Sequence, residues 1–95
     1  MNLREKLDTH LHVLRSMIRT IPEGPLRSGA ESARHNLYRA LEEGDRESAG
    51  KWLDALRRAL DIMPQRFSTH HKATMETALR AIAGGIQKSR AGSSL

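Results

Sequence analysis

Between Ala30 and Met63, two amphipathic stretches meet at the dipeptide Gly44-Asp45. No other feature limits the fold of this chain so strongly. Gly44 suits the left-handed position that ends a helix, and Asp45 suits the N-cap of the next one. A turn this short makes the two helices antiparallel neighbours. The upstream stripe is Ala30, Ala33, Leu37, Ala40 and Leu41. The downstream stripe is Ala49, Trp52, Leu53, Leu56, Ala59, Leu60 and Met63. Spacings of three and four put each stripe on one helical face. The upstream helix is expected to begin between Pro25 and Ala30, with Ser28 and Glu31 as a capping box. The downstream helix is expected from about Arg46 to Met63, where Pro64 pushes the preceding residue out of helical geometry. Small residues in the upstream stripe let a neighbour approach closely. Trp52 is expected as a core anchor and Tyr38 at the edge. Asp54 with Arg58, and Glu47 with Lys51, form acid-then-base pairs on the outer face.

A helix is expected on each side of this hairpin. Leu3, Leu7, Leu11, Leu14, Ile18 and Ile21 define the first, over Leu3 to Ile21. Asn2 and Glu5 cap its start, and Pro22-Glu23-Gly24-Pro25 ends it. Its early acids and late bases match the helix dipole. Phe67, His71, Met75, Ala78, Leu79, Ile82 and Ile86 define the last helix, which begins between Gln65 and Thr69. Gly84-Gly85 weakens it by about 1 kcal/mol per glycine, yet Ile86 prolongs the pattern to about Lys88. Residues 1–88 thus form a single domain, and 89–95 are expected to be a disordered tail. Twelve Leu and eleven Ala against one Val favour helix over strand. The expected fold is all-α, a small four-helix bundle, either up-down or two packed hairpins.

The hairpin resembles one unit of the tetratricopeptide repeat family. The resemblance rests on Ala33, Leu37, Ala40, Gly44-Asp45, Ala49, Ala59-Leu60 and Pro64. It covers about a third of the chain. The second helix is about one turn longer than the family pattern, and no second copy is present, whereas such repeats need about three for stability. The shared grammar is that of a helical hairpin, and no peptide-binding role is carried over.

Several chemistries are disfavoured. The chain has no cysteine, so disulfides, thiolate nucleophiles and Cys-based zinc sites are excluded. No apolar run approaches the ~18–20 residues that span a bilayer. The charged N-terminus lacks the apolar core of a secretory signal, so a cytoplasmic protein with no membrane partner is expected. His10 and His12 diverge by about 200° on a helix, His70 and His71 are adjacent, and His35 stands alone. No metal or other cofactor is expected. Asp8 with His12, and Glu31 with His35, are ordinary surface pairs one turn apart. No phosphate loop or paired carboxylates in a pocket are present, so neither catalysis nor a small-molecule substrate is expected.

Two binding surfaces remain. The formal charge is +5, and residues 65–95 carry five bases against Glu76 alone. Arg66, His70, Arg80 and Lys88 share one face of the last helix, with Arg57 and Arg58 close by, as candidate phosphate-backbone contacts. No helix-turn-helix pattern supports them, and aromatics are too few for base stacking. The second surface is apolar. Ala73, Thr77 and Ala81 form a ridge of small residues, continued by Gly85. Leu11, Val13 and Met17 widen the face of the first helix beyond a narrow stripe. A partner helix or a second copy of the chain would fit these surfaces. The expected function is therefore non-enzymatic binding of a protein partner, as a small regulator, adaptor or stoichiometric inhibitor, with nucleic-acid binding as the alternative.

Overall fold

The computed structural model describes residues 2–63 and 69–93, the last five of these by backbone alone. The described residues are all-α: α1 (Leu3–Lys6), α2 (Asp8–Ile18), α3 (Pro25–Glu43), α4 (Arg46–Asp61) and α5 (Thr69–Ser93). α3 packs on α4, α4 on α5, α5 on α2, and α2 on α3, so the four long helices close a ring. Short α1 lies against α3 and α5.

The central turn follows its sequence. Gly44 is left-handed (φ 73°, ψ 17°). The Asp45 N–H donates to the Ala40 carbonyl at 2.8 Å, and the Gly44 N–H to that of Leu41 at 3.3 Å. This pair of bonds is a Schellman closure, which satisfies carbonyls that the helix end leaves over. Asp45 then caps α4: its Oδ1 accepts from the Ser48 N–H at 3.1 Å, and its Oδ2 from the Ser48 hydroxyl at 2.7 Å. The bonds from the Ser48 backbone and side chain hold the Asp45 carboxyl below its usual pKa.

Other boundaries differ from expectation for identifiable reasons. α3 starts at Pro25, because proline presets helical φ at the first position. Ser28 therefore lies inside the first turn, its N–H donating to the Gly24 carbonyl at 3.0 Å, and it caps nothing. The first expected helix is two segments that meet at Leu7 (φ −103°, ψ 7°). The Leu7 N–H is shared between the carbonyls of Leu3 and Arg4, a local tightening of the helix. Two contacts hold this bend. The Arg4 Nε pairs with Glu42 at 2.6 Å while its guanidinium lies over the Tyr38 ring, 5.3 Å from the centroid. The Leu7 side chain lies against Gly85, where an added Cβ would come within 2.6 Å of Leu7 Cδ2. α2 ends at Ile18, and the chain tightens through bonds from Thr20 to Met17 and from Ile21 to Ile18 before Pro22. α4 ends at Asp61, two residues before the expected end, with Met63 still buried. α5 runs to Ser93, past Gly84-Gly85, past its expected end at Lys88 and into the expected tail.

The core takes Leu11, Leu14 and Ile18 from α2, Leu37 and Leu41 from α3, Leu53, Leu56 and Leu60 from α4, and Met75, Leu79 and Ile82 from α5. Among the described residues no polar or charged residue is buried. Trp52 is half-buried at the margin rather than a core anchor, with the Lys51 ammonium 5.7 Å from its ring centroid. Its side chain packs against the core without entering it. Asp54 pairs with Arg57 at 3.8 Å; Arg58 instead bonds the Asp54 carbonyl.

Gly84 and Gly85 make a paired test of this packing. Gly84→Ala meets nothing within 4 Å and should stabilise the protein by about 0.5–1 kcal/mol. Gly85→Ala should destabilise it by about 1–3 kcal/mol, since the buried Leu7 must move. Urea titrations of both variants measure this. Acid melts test the two exposed carboxylates. Arg4 holds the Glu42 carboxyl low, as Ser48 does that of Asp45. Their stabilisation is full above the unfolded carboxyl pKa of about 4 and is lost as pH falls through the folded values. Asp45→Ala and Glu42→Gln should each lower Tm at neutral pH, and the gap to the parent should narrow below about pH 4.

Candidate functional site

Because α3 and α4 run antiparallel, the first turns of α3 meet the last turns of α4. Pro25, Leu26, Gly29 and Ala30 face Ala55, Ala59 and Ile62 across an open trough of about 860 Å³, with Arg58 and Asp61 as its charged members. Small side chains on both helices leave the floor low. Ile62 is the C-cap residue of α4 and is 72% exposed. It is the only large hydrophobic residue so exposed among the described residues.

A second groove, of about 260 Å³, lies between α4 and α5. It is lined by Arg57, Leu60, Asp61, Glu76, Leu79 and Arg80. Two cations there share the walls with two carboxylates, so the groove is charge-balanced.

A third, of about 210 Å³, lies between α2 and α3, with Arg15, Arg19 and Arg34 around Ile18 and Glu31. Arg15, in the last turn of α2, and Arg19, its C-cap residue, are four residues apart. Half-buried Arg34 enters from α3. Glu31 is held by Arg27, with Nε to Oε1 at 3.0 Å. Among the described residues Arg15, Arg19 and Arg34 form no ion pair. Burial first, and then the neighbouring charge of Arg15, lower the Arg34 pKa from its ordinary value.

The residues singled out in the sequence are dispersed. Leu11 is 1% exposed and belongs to the core, so it offers a partner no surface. Val13 and Met17 are half-buried and pack on that core. The chain itself thus covers most of the broad face of α2. On α5, Ala73 and Thr77 are exposed and Ala81 is half-buried, while the next member of the ridge, Gly85, receives Leu7. The ridge therefore turns from solvent into the core along its length. The Thr77 hydroxyl is engaged with the Ala73 carbonyl at 3.0 Å.

Of the basic set, Arg57, Arg58, His70, Arg80 and Lys88 are all exposed, and Arg66 lies outside the described residues. They do not form one patch. Arg57 and Arg80 meet in the balanced groove, whereas Arg58 lines the apolar trough. His70 and Lys88 are about 27 Å apart along the helix axis.

Ile62 and the three arginines were not among the sequence-predicted sites, though each leaves a sequence signal. Ile62 is a large apolar residue off the stripe of α4. Arg15 and Arg19 share a helix face, but that spacing alone fits dipole compensation, and only the packing of α3 brings Arg34 to them. Among the described residues no group of three or more His, Cys, Asp or Glu side chains is placed to hold a metal ion. The adjacent His70 and His71 rings lie 6.1 Å apart and tilted by 52°. No helix among the described residues is long and apolar enough to cross a membrane. In comparison with known proteins, the chain matches no family model, no curated protein and no solved structure.

Burial and then the charge of Arg15 both disfavour the Arg34 cation, and substitution tests this. Arg34→Met keeps the apolar stem and removes the cation, and should raise Tm at low salt. Added salt screens the repulsion between Arg15 and Arg34, so the advantage should shrink at high ionic strength. Arg39→Met is the control, because Arg39 is exposed and pairs with Glu43.

Proposed function

We propose that this chain is a non-enzymatic binding protein that takes a helix of a protein partner into the α3/α4 trough. It would act as a small regulator, adaptor or stoichiometric inhibitor. The observation that carries this reading is Ile62, a 72% exposed branched side chain at an apolar trough. A large apolar side chain left in water forgoes about 1.5–3 kcal/mol of burial, which a partner can recover. The trough suits a helix in particular. Two roughly parallel walls with a floor of Gly29, Ala30, Ala55 and Ala59 admit the ridge of a third helix, as in helix-in-groove recognition. Arg58 and Asp61 at the trough favour a partner with charges of both signs beside its apolar face.

We read the closed ring of long helices as an up-and-down four-helix bundle, a scaffold rigid enough to present such a trough. The absence of cysteine suits a reducing compartment and supports the cytoplasm as the place of action. A second copy of the chain is a less favoured occupant, because α2, the helix expected to dimerise, has Leu11, Leu14 and Ile18 in the core. Nucleic-acid binding by α5 has less support, since Arg57 and Arg80 face Asp61 and Glu76.

Ile62→Glu tests the proposal with little effect on folding, since exposed substitutions shift stability by about 0.5 kcal/mol or less. Retention from nuclease-treated native lysate at moderate salt should recover a discrete protein on the parent chain. Ile62→Glu and Ala59→Arg should lose it, while Arg80→Gln should keep it. Equal retention by Ile62→Glu, or no specific protein at all, would sink the reading.

A further inference from the structure

We propose that the cleft between α2 and α3 is a binding site for a phosphate dianion, held by Arg15, Arg19 and Arg34. The cleft has a floor, walls and an unbalanced charge. Ile18, 1% exposed, lies at its base. Arg15 stands in the last turn of α2, Arg19 caps that helix, and Arg34 enters from α3, so cations border the space from two helices. Guanidinium groups bind tetrahedral oxyanions through paired N–H donors, and arginine keeps its charge across the working pH range.

The charge count selects the ligand. Three arginines and one glutamate line the cleft, a formal +2. A phosphate monoester or inorganic phosphate carries about −1.5 to −2 at neutral pH and balances that charge, whereas a phosphodiester carries only one. Glu31, the carboxylate in the lining, is drawn to Arg27 at 3.0 Å. That pairing turns part of its charge away from the three arginines. A nucleic-acid backbone also requires contacts repeated along a surface, and the other basic residues described here are scattered or balanced by acids. The lowered pKa of Arg34 agrees with this assignment: a cation beside another cation, partly removed from water, is relieved by an anion between them. The site lies on α2 and the middle of α3, away from the α3/α4 trough, and stands independently of the function proposed for that trough.

Two sources share this chemistry, a free phosphate and a phosphorylated side chain. Calorimetric titration at low salt and about pH 8, where both are dianions, separates them. The probes are inorganic phosphate, a short phosphoserine peptide and, as a diester, a short single-stranded oligonucleotide. One saturable site is expected for phosphate or the peptide; the tighter of the two names the source. Arg34→Gln and Arg15→Gln should each weaken binding about tenfold or more, the loss of a charge-assisted pair. Arg34→Lys should fall between, Glu31→Gln should tighten binding, and Arg39→Gln should leave it unchanged. Arg15 is exposed, so Arg15→Gln carries the test if a substitution at Arg34 disturbs folding. The proposal is overturned if neither monoester probe saturates, if Arg15→Gln binds like the parent, or if the oligonucleotide binds more tightly than both monoester probes.

Discussion

The left-handed glycine at position 44 is the constraint from which the other packing relations follow. It turns α3 directly into α4, and the two bonds that close the turn leave the helices no choice but to lie side by side. With those axes set, the alanines of α3 bring the backbones close, and the leucines of α4 are directed toward the remaining side of the hairpin. α2 and α5 complete the ring by covering what the hairpin exposes. The strength of this start lies in geometry rather than in one strong contact. A glycine tolerates φ 73°, a side chain with a Cβ resists it, and Asp45 begins the next helix in the adjacent residue.

Much of the fold was legible because apolar residues recur with helical period. Leu37, Leu41, Leu53, Leu56, Leu79 and Ile82 were all recognisable as core from their spacing, and all are buried. Boundaries were less legible where two local rules compete. At the start of α3 a proline and a capping pair both propose a first residue; proline wins because its φ is fixed before any hydrogen bond forms. At Leu7 the sequence carries no helix breaker at all. The bend comes from Arg4 reaching Glu42, thirty-eight residues on, and from Leu7 meeting Gly85. Contacts across such separations leave no periodic trace. Trp52 misled for a related reason: size suggests an anchor, but the buried positions of α4 are taken by Ala49, Leu53, Leu56 and Leu60, and Trp52 stays at the margin.

The surface was the least legible level. Summing charge along the chain points to its last third, yet charge acts through space. The arginines that cluster come from α2 and α3, whose segments are nearly neutral in sum, while part of the basic surface of α5 is offset by Asp61 and Glu76. A net charge per segment averages over opposite faces of a helix, and binding depends on one face at a time. The exposed Ile62 shows the same effect for apolar surface: its neighbours on the stripe are covered, and one step of about 100° around the helix leaves it in water.

The close seat of Leu7 on Gly85 also joins two parts of the chain that are distant in sequence. A helix with two adjacent glycines is locally soft, since each lowers the cost of opening its hydrogen bonds. Here Leu7 covers that soft point, and Arg4 fastens the segment bearing Leu7 to α3. Opening of α1 would therefore uncover α5 at Gly85. Loss of the N-terminal turn would then speed amide exchange beyond Gly85, because the side chain that covers this point of α5 would be gone.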